Sequence, residues 1–395
     1  MDNELVYLLL IFGLLVVPRW LQRFKLPAPI TSLALGIGAM LLWGDRTHDP
    51  VVVLLSTIGI SSLFLFAGLE VDPAELRKGF RQLATHLAIR IATLAGVAWL
   101  AWRFADLQWQ AAALVALALL TPSTGFILDT LERLGLDEEE QFWVTSKAIA
   151  GELLALAALF FLLQADDAMQ LAASTSAMIA LVVGLPLLFM ALGRWVVPHA
   201  RGSEFSLLVM VGLVGAFVTY KLGVYYLVGA FIAGLAARLL QTRMPTLASD
   251  DNLHALRLFA TFFVPFYFFH AGTGISREAL SWQALGLGIA ITLVVVPLRI
   301  GIVWLQRRAL FGRRDGSNLR VAVALAPTLV FTLVLANILH ARFGLPDVLF
   351  GALILYTVLN TLLPSLVFQQ PFDIDPLDSR VETHPEDRIA PPRAP

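Results

Sequence analysis

The sequence predicts an all-α integral membrane protein of about 13 transmembrane helices, with inverted-topology repeats and two crossing discontinuous helices. Three observations carry that expectation. The first is composition: 58% of the 395 residues are apolar and only 14% are charged, with a mean hydropathy of +0.77. So little polar surface could not keep a chain of this size in water. The second is that the chain repeats itself between its two halves, and the third is a Pro near the middle of one span in each half.

A span needs about 20 mostly apolar residues. Thirteen such segments follow one another between short polar or Pro/Gly connections: 3–22, 28–44, 50–69, 83–102, 109–131, 142–164, 170–193, 203–220, 223–241, 254–274, 282–305, 318–340 and 345–369. The first lacks a basic leader and a small-residue cleavage site, so it is expected to be retained as a span. Fifteen Lys and Arg fall in the connections of one side, against Arg46, Arg103, Lys221, Arg277 and Arg342 on the other. That bias predicts an outside N-terminus and a cytoplasmic C-terminus. Residues 371–395, rich in Pro, Asp and Arg, read as a disordered cytoplasmic tail, so the membrane domain is expected over 1–370.

Composition also narrows the chemistry. Cys is absent, which removes disulfides, thiol nucleophiles and Cys-ligated metals. Seven scattered His form no HExxH or comparable ligand pair, so a metal enzyme is not expected. No enzyme activity, cofactor or nucleic-acid partner is expected either.

The internal repeat has an offset of about 204 residues. Leu65-Phe66-Ala67-Gly68-Leu69-Glu70-Val71-Asp72 closes the third span, and Phe269-His270-Ala271-Gly272-Thr273-Gly274-Ile275-Ser276 closes the tenth. Leu120-Thr121-Pro122-Ser123-Thr124-Gly125-Phe126-Ile127-Leu128 in the fifth span matches Leu325-Ala326-Pro327-Thr328-Leu329-Val330-Phe331-Thr332-Leu333 in the twelfth. Gly/Ala-rich stretches of the second and ninth spans form a third pair. An odd number of spans separates each pair, so the halves must run oppositely through the membrane, as in alternating-access secondary transporters. Repeat one is expected over about 28–164, a linker helix over 170–193 and repeat two over 223–369.

Pro122 and Pro327 each remove a backbone hydrogen bond inside a span. Freed carbonyls at bilayer depth are tolerated only where they line a cavity or are buried in protein. Thr121, Ser123 and Thr124 cluster at one break, Thr328 and Thr332 at the other. These are the expected discontinuous-helix breaks.

Glu152 lies near the middle of the apolar stretch 144–163. A carboxylate there costs on the order of 3 kcal/mol or more and marks an ion or proton path by default. Its helical neighbours Ala148, Ile149, Ala155 and Leu156 cannot satisfy it. Arg299 is the expected charge-compensating partner. Arg90 and Lys147 read as interface anchors, and Glu138, Glu139 and Glu140 as a solvated loop.

These residues resemble the monovalent cation:proton antiporter-2 family, in order along essentially all thirteen spans. The resemblance rests on Leu26-Pro27-Ala28-Pro29-Ile30, Leu63-Phe64-Leu65-Phe66-Ala67-Gly68-Leu69-Glu70-Val71-Asp72 and Ser123-Thr124-Gly125-Phe126-Ile127-Leu128. Gly229-Ala230-Phe231-Ile232-Ala233-Gly234-Leu235 and Phe263-Val264-Pro265-Phe266-Tyr267-Phe268-Phe269 continue it. It implies that Glu152 in the sixth span is the cation- or proton-binding acid and that Arg299 stands at the family's basic position. Family members often carry Asp-Asp, Asn-Asp or Gln-Asp where this chain has Gly151-Glu152. An acidic element common in the twelfth span is replaced by Pro327-Thr328-Leu329-Val330-Phe331. The resemblance also implies a homodimer in the lipid of a bacterial inner membrane, with spans 4–6 and 11–13 moving against spans 2, 3, 9 and 10.

The function expected on this basis is exchange of protons for Na⁺ or K⁺. The metal ion would bind at Glu152 with Thr121, Ser123, Thr124 and broken-helix carbonyls, displacing the proton. With Gly151 unable to titrate and Arg299 always charged, exchange is expected to be electroneutral. The alternatives are a sodium-coupled organic-solute symporter of similar architecture, a non-transporting sensor and a membrane-embedded enzyme.

Overall fold

The computed structural model describes residues 3–44, 49–71, 80–131, 134–164, 168–200, 202–222, 225–241, 249–311 and 316–368. Asp72 and the tail from residue 371 lie outside the described residues, so the expectations placed on them go no further here. Among the described residues the only regular secondary structure is helical. In chain order the helices are α1 (Asn3–Gln22), α2 (Ala28–Trp43), α3 (Pro50–Leu69), α4 (Phe80–Phe104), α5 (Trp109–Leu120), α6 (Thr124–Leu131), α7 (Glu138–Gln164) and α8 (Ala168–Trp195). They continue as α9 (Glu204–Lys221), α10 (Tyr226–Leu239), α11 (Asp250–Thr273), α12 (Trp282–Phe311), α13 (Ser317–Ala324), α14 (Leu329–Phe343) and α15 (Asp347–Val367).

Taken as units, α5 with α6 and α13 with α14 each form one crossing, which makes thirteen and matches the expected spans. Eleven units are long and apolar enough to cross a bilayer, and the helices over 28–42 and 226–239 are shorter apolar ones. Proline punctuates the connections as its geometry requires. Pro50 opens α3 behind an Asp49 cap whose carboxylate accepts from the N–H groups of Val51 and Val52.

The helices pack mainly as two groups. α3 lies against α10 and α11, and α2 against α11, while α4–α7 and α12–α15 form the second group around the two broken units. Close approach in the first group depends on glycine. A Cβ at Gly68 would lie 2.2 Å from the Phe231 carbonyl oxygen, and one at Gly234 would lie 2.1 Å from that of Leu65. The same reciprocal contact joins α2 to α11: a Cβ at Gly36 would meet the Phe269 oxygen at 2.1 Å, and one at Gly272 the Leu33 oxygen at 2.3 Å. Small residues let backbones meet where lipid supplies no hydrophobic drive between helices.

The broken units are the most enclosed spans: 89% of the core window of α5–α6 and 94% of that of α13–α14 is buried in protein, against 11% for α4, α8 and α12. Their polar breaks therefore face protein, the condition under which non-helical backbone survives at bilayer depth.

The structure revises three readings of charged residues. Lys147 is buried, 2% exposed, with Nζ donating to Gln306 Oε1 at 2.9 Å, and Arg90 reaches inward to the Leu120 carbonyl at 2.7 Å. Neither anchors at an interface, because the helix face each occupies is turned to the interior. The third is the Glu138–Glu140 run, which opens α7. Glu140 is buried and forms a capping box with Asp137: Glu140 N–H donates to Asp137 Oδ1 at 2.8 Å and Asp137 N–H to Glu140 Oε2 at 3.0 Å. Glu140 also pairs with Arg320 at 3.3 Å.

Candidate ion site at the helix crossing

Breaking a helix leaves carbonyls without donors and N–H groups without acceptors. At the first break three such carbonyls and two such N–H groups find partners. Pro122 holds Thr121 extended, at φ −78° and ψ 121°, and α5 stops. Pro122 has no N–H for the Ala118 carbonyl, which instead accepts from Thr332 Oγ1 at 2.7 Å. The Leu119 carbonyl accepts from the Tyr356 hydroxyl, and that of Leu120 from Arg90 Nη2 at 2.7 Å. On the other side of the gap, Ser123 N–H donates to the Pro327 carbonyl at 2.9 Å, which ties the two breaks together directly. Thr124 N–H, at the start of α6, donates to Glu152 Oε2 at 3.1 Å.

The second break repeats this plan. α13 ends at Ala324, and the carbonyls of Leu325 and Ala326 accept from Arg299 Nη2 at 3.0 Å and Nη1 at 2.7 Å. Nη1 also donates to the Tyr356 hydroxyl at 3.1 Å. Thr328 N–H donates to Asn360 Oδ1 at 3.3 Å. Ser123 Oγ accepts from the N–H groups of Val330 at 2.9 Å and Phe331 at 3.3 Å, capping α14 from the opposite break. Thr328 Oγ1 sits among the Thr357 and Thr332 hydroxyls and the Asn360 amide at 2.8–3.0 Å.

Glu152 is 2% exposed. Its carboxylate therefore lies at the N-terminus of a half-helix, where backbone N–H groups and the helix dipole favour negative charge. It lines a cleft with Ser123, Thr124, Gly125, Phe64 and Phe331 that leaves no room for a water. The Thr121 hydroxyl is buried with no hydrogen-bond partner among the described residues, and Thr124 lies in the cleft with Glu152.

Of the sequence-predicted residues, the structure brings Glu152, Ser123 and Thr124 to one cleft. Thr121 is buried one residue before Pro122 but does not line it. Pro122 and Pro327 stand at the two breaks, and Thr328 belongs to the polar cluster of the second. Arg299 was expected to face Glu152. Its guanidinium is instead spread over the carbonyl end of α13, and no ion pair joins it to Glu152 among the described residues. The carbonyls at a helix C-terminus carry about half a unit of negative charge, which gives Arg299 a partner without a carboxylate.

Three residues that sequence reasoning passed over take part, Tyr356, Thr357 and Asn360, together with Arg90, which it had read as an interface anchor. The repeat carried a signal for two of them. Arg90 stands to Arg299, and Glu152 to Asn360, at nearly the spacing that relates Pro122 to Pro327. Extending that register beyond the matched motifs would have found both.

Comparison with known proteins agrees with this fold. The chain is similar to the sodium proton antiporter MjNhaP1 from Methanocaldococcus jannaschii, in a structure at pH 8 with a TM-score of 0.61 at 16% identity, covering 92% of this chain and 96% of that one. An electron-microscopy map of the same antiporter matches with a TM-score of 0.63 at 18% identity, covering 93% and 95%. The two share a fold with this chain. The family described as "Sodium/hydrogen exchanger, transmembrane" matches residues 7–372. The chain belongs to the transmembrane sodium/hydrogen exchanger family.

Proposed function

We propose that this protein exchanges protons for a monovalent cation, Na⁺ or K⁺, using the Glu152 carboxylate as the shared site. One observation carries the reading: the carboxylate is buried at the crossing of two broken helices, held there by the Thr124 N–H, with Ser123 and Thr124 lining the same cleft. A carboxylate has more acceptor capacity than one N–H uses. A proton or a small cation can take the remainder, and each excludes the other.

Competition for one site couples the two flows. Glu152 is the only acidic residue lining the cleft among the described residues, and Asn360 occupies the corresponding place of the second repeat. One proton per monovalent cation, an electroneutral cycle, follows from a single titrating group. The tight cleft favours a bare ion over an organic solute, which argues against the symporter alternative. The reading takes the two halves as inverted repeats. It is supported by paired features: Gly68 on Gly234 beside Gly272 on Gly36, and Arg90 on Leu120 beside Arg299 on Leu325. The rigid unit of α4–α7 and α12–α15 would rock against the glycine-packed unit of α2, α3, α10 and α11, within a homodimer in a bacterial inner membrane, N-terminus outside.

The test is proton movement in proteoliposomes on adding Na⁺, K⁺ or Li⁺, for the unmodified chain and Glu152→Gln. The exchange should be lost in the variant. Exchange that persists at the original rate would refute the assignment of Glu152.

A further inference from the structure

A second cavity touches both breaks at Leu120, Pro122, Leu325 and Ala326 and is lined by basic side chains. His86, Arg90, Lys147 and Arg299 face it, together with Leu120 and Pro122, and no carboxylate is among its lining residues. Its volume is about 50 Å³. One water needs roughly 10–15 Å³ on that measure, so a small ion with a water or two fits and a lipid headgroup does not.

Among the described residues that line this cavity, the charge does not balance. The two half-helix C-termini that Arg90 and Arg299 cover supply roughly half a unit of negative charge each. Arg90, Arg299 and Lys147 carry three positive charges between them when protonated. Uncompensated charge of one sign in a low-dielectric interior draws in a counter-ion.

Hydrogen-bond donors are also left over. Gln306 Oε1 accepts from His86 Nδ1 and from Lys147 Nζ, both at 2.9 Å. That leaves two of the three Lys147 protons for other acceptors. Arg90 Nε, His86 Nε2 and Gln306 Nε2 are buried without a partner among the described residues. Surplus donors, basic side chains and a volume of ion size are what a small anion requires.

We infer that this cavity binds a small inorganic anion of the halide class, held by Arg90 and Lys147 between the C-terminal ends of the two half-helices. The anion neutralises the cations that brace both breaks and so stabilises the crossing on which Glu152 sits. It is a site separate from the exchanged cation's and does not depend on the exchange reading.

Thermal unfolding of the purified full-length protein tests it, in sodium chloride, bromide, sulfate and gluconate at matched sodium and ionic strength. Chloride and bromide should give a saturable rise of several degrees, and gluconate none. Lys147→Met should abolish the rise. Equal midpoints in all four salts, or an undiminished halide response in Lys147→Met, would overturn the inference. If the variant does not fold, crystals of the unmodified protein grown with bromide decide: an anomalous peak in the cavity supports the site, and its absence there overturns it. Neither readout requires transport, so loss of the exchange reading and loss of the anion site are distinguishable.

Discussion

The Arg90 guanidinium packs directly on Gly151, the residue before the buried Glu152. A Cβ at position 151 would lie 3.0 Å from Arg90 Cζ and 3.1 Å from Nη1. The glycine that looks anomalous beside the acid is therefore the space through which Arg90 reaches the Leu120 carbonyl.

Gly151→Asn should displace Arg90 and leave that carbonyl without its donor. Overpacking of this kind costs about 1–3 kcal/mol, and the lost bond adds to it. A lowered unfolding midpoint and slowed exchange are expected. An unchanged midpoint would mean that Arg90 has another comfortable position.

Proton and cation compete for one carboxylate in the proposed cycle. Below the range in which Glu152 is ionised in the empty site, each unit fall in pH should raise the half-saturating Na⁺ concentration about tenfold, by mass action. The maximal rate at saturating Na⁺ should change much less. Initial rates across a pH series in proteoliposomes measure both; a half-saturation that does not move with pH would exclude a shared site.

Asn360 accepts from Thr328 N–H and donates to Thr328 Oγ1 at 2.9 Å. Asn360→Ala removes these bonds, and the one its Oδ1 accepts from the Thr361 hydroxyl at 3.1 Å, in a fully buried setting, at a cost of about 1–3 kcal/mol. The midpoint should fall, and Asn360→Asp should restore part of it through the retained acceptor. Equal losses in the two variants would assign the effect to packing.

Gly68 and Gly234 hold α3 against α10. Gly68→Val puts two methyl groups where even a Cβ lies 2.2 Å from a backbone oxygen, so the helices must part. Exchange should be lost with a strongly lowered midpoint, whereas Gly13→Val, with open space around it, should change neither.

How much was legible can be followed residue by residue. Glu152, Pro122 and Pro327 announced themselves because an acid and two helix breakers inside apolar spans have few stable explanations. The thirteen spans were legible for the same reason, since apolar length follows directly from bilayer thickness. The partners were not. Arg299 was assigned to Glu152 by sign alone, and the sequence offers no way to see that a helix end competes for a guanidinium. Lys147 and Arg90 looked like anchors because their distance from the boundary was readable but their helical face was not.

The sequence by itself determined the class of protein, the order of its spans, the positions of both breaks and the family it belongs to. Those depend on local hydrophobicity, on proline geometry and on motifs that need no knowledge of neighbours. Only the tertiary structure decided who satisfies whom: Ser123 capping a helix about two hundred residues away, Tyr356 closing the gap left at Leu119, and Arg90 seated on Gly151. Hydrogen bonds across a crossing depend on the rotation and depth of each helix, and packing sets those after the spans have formed.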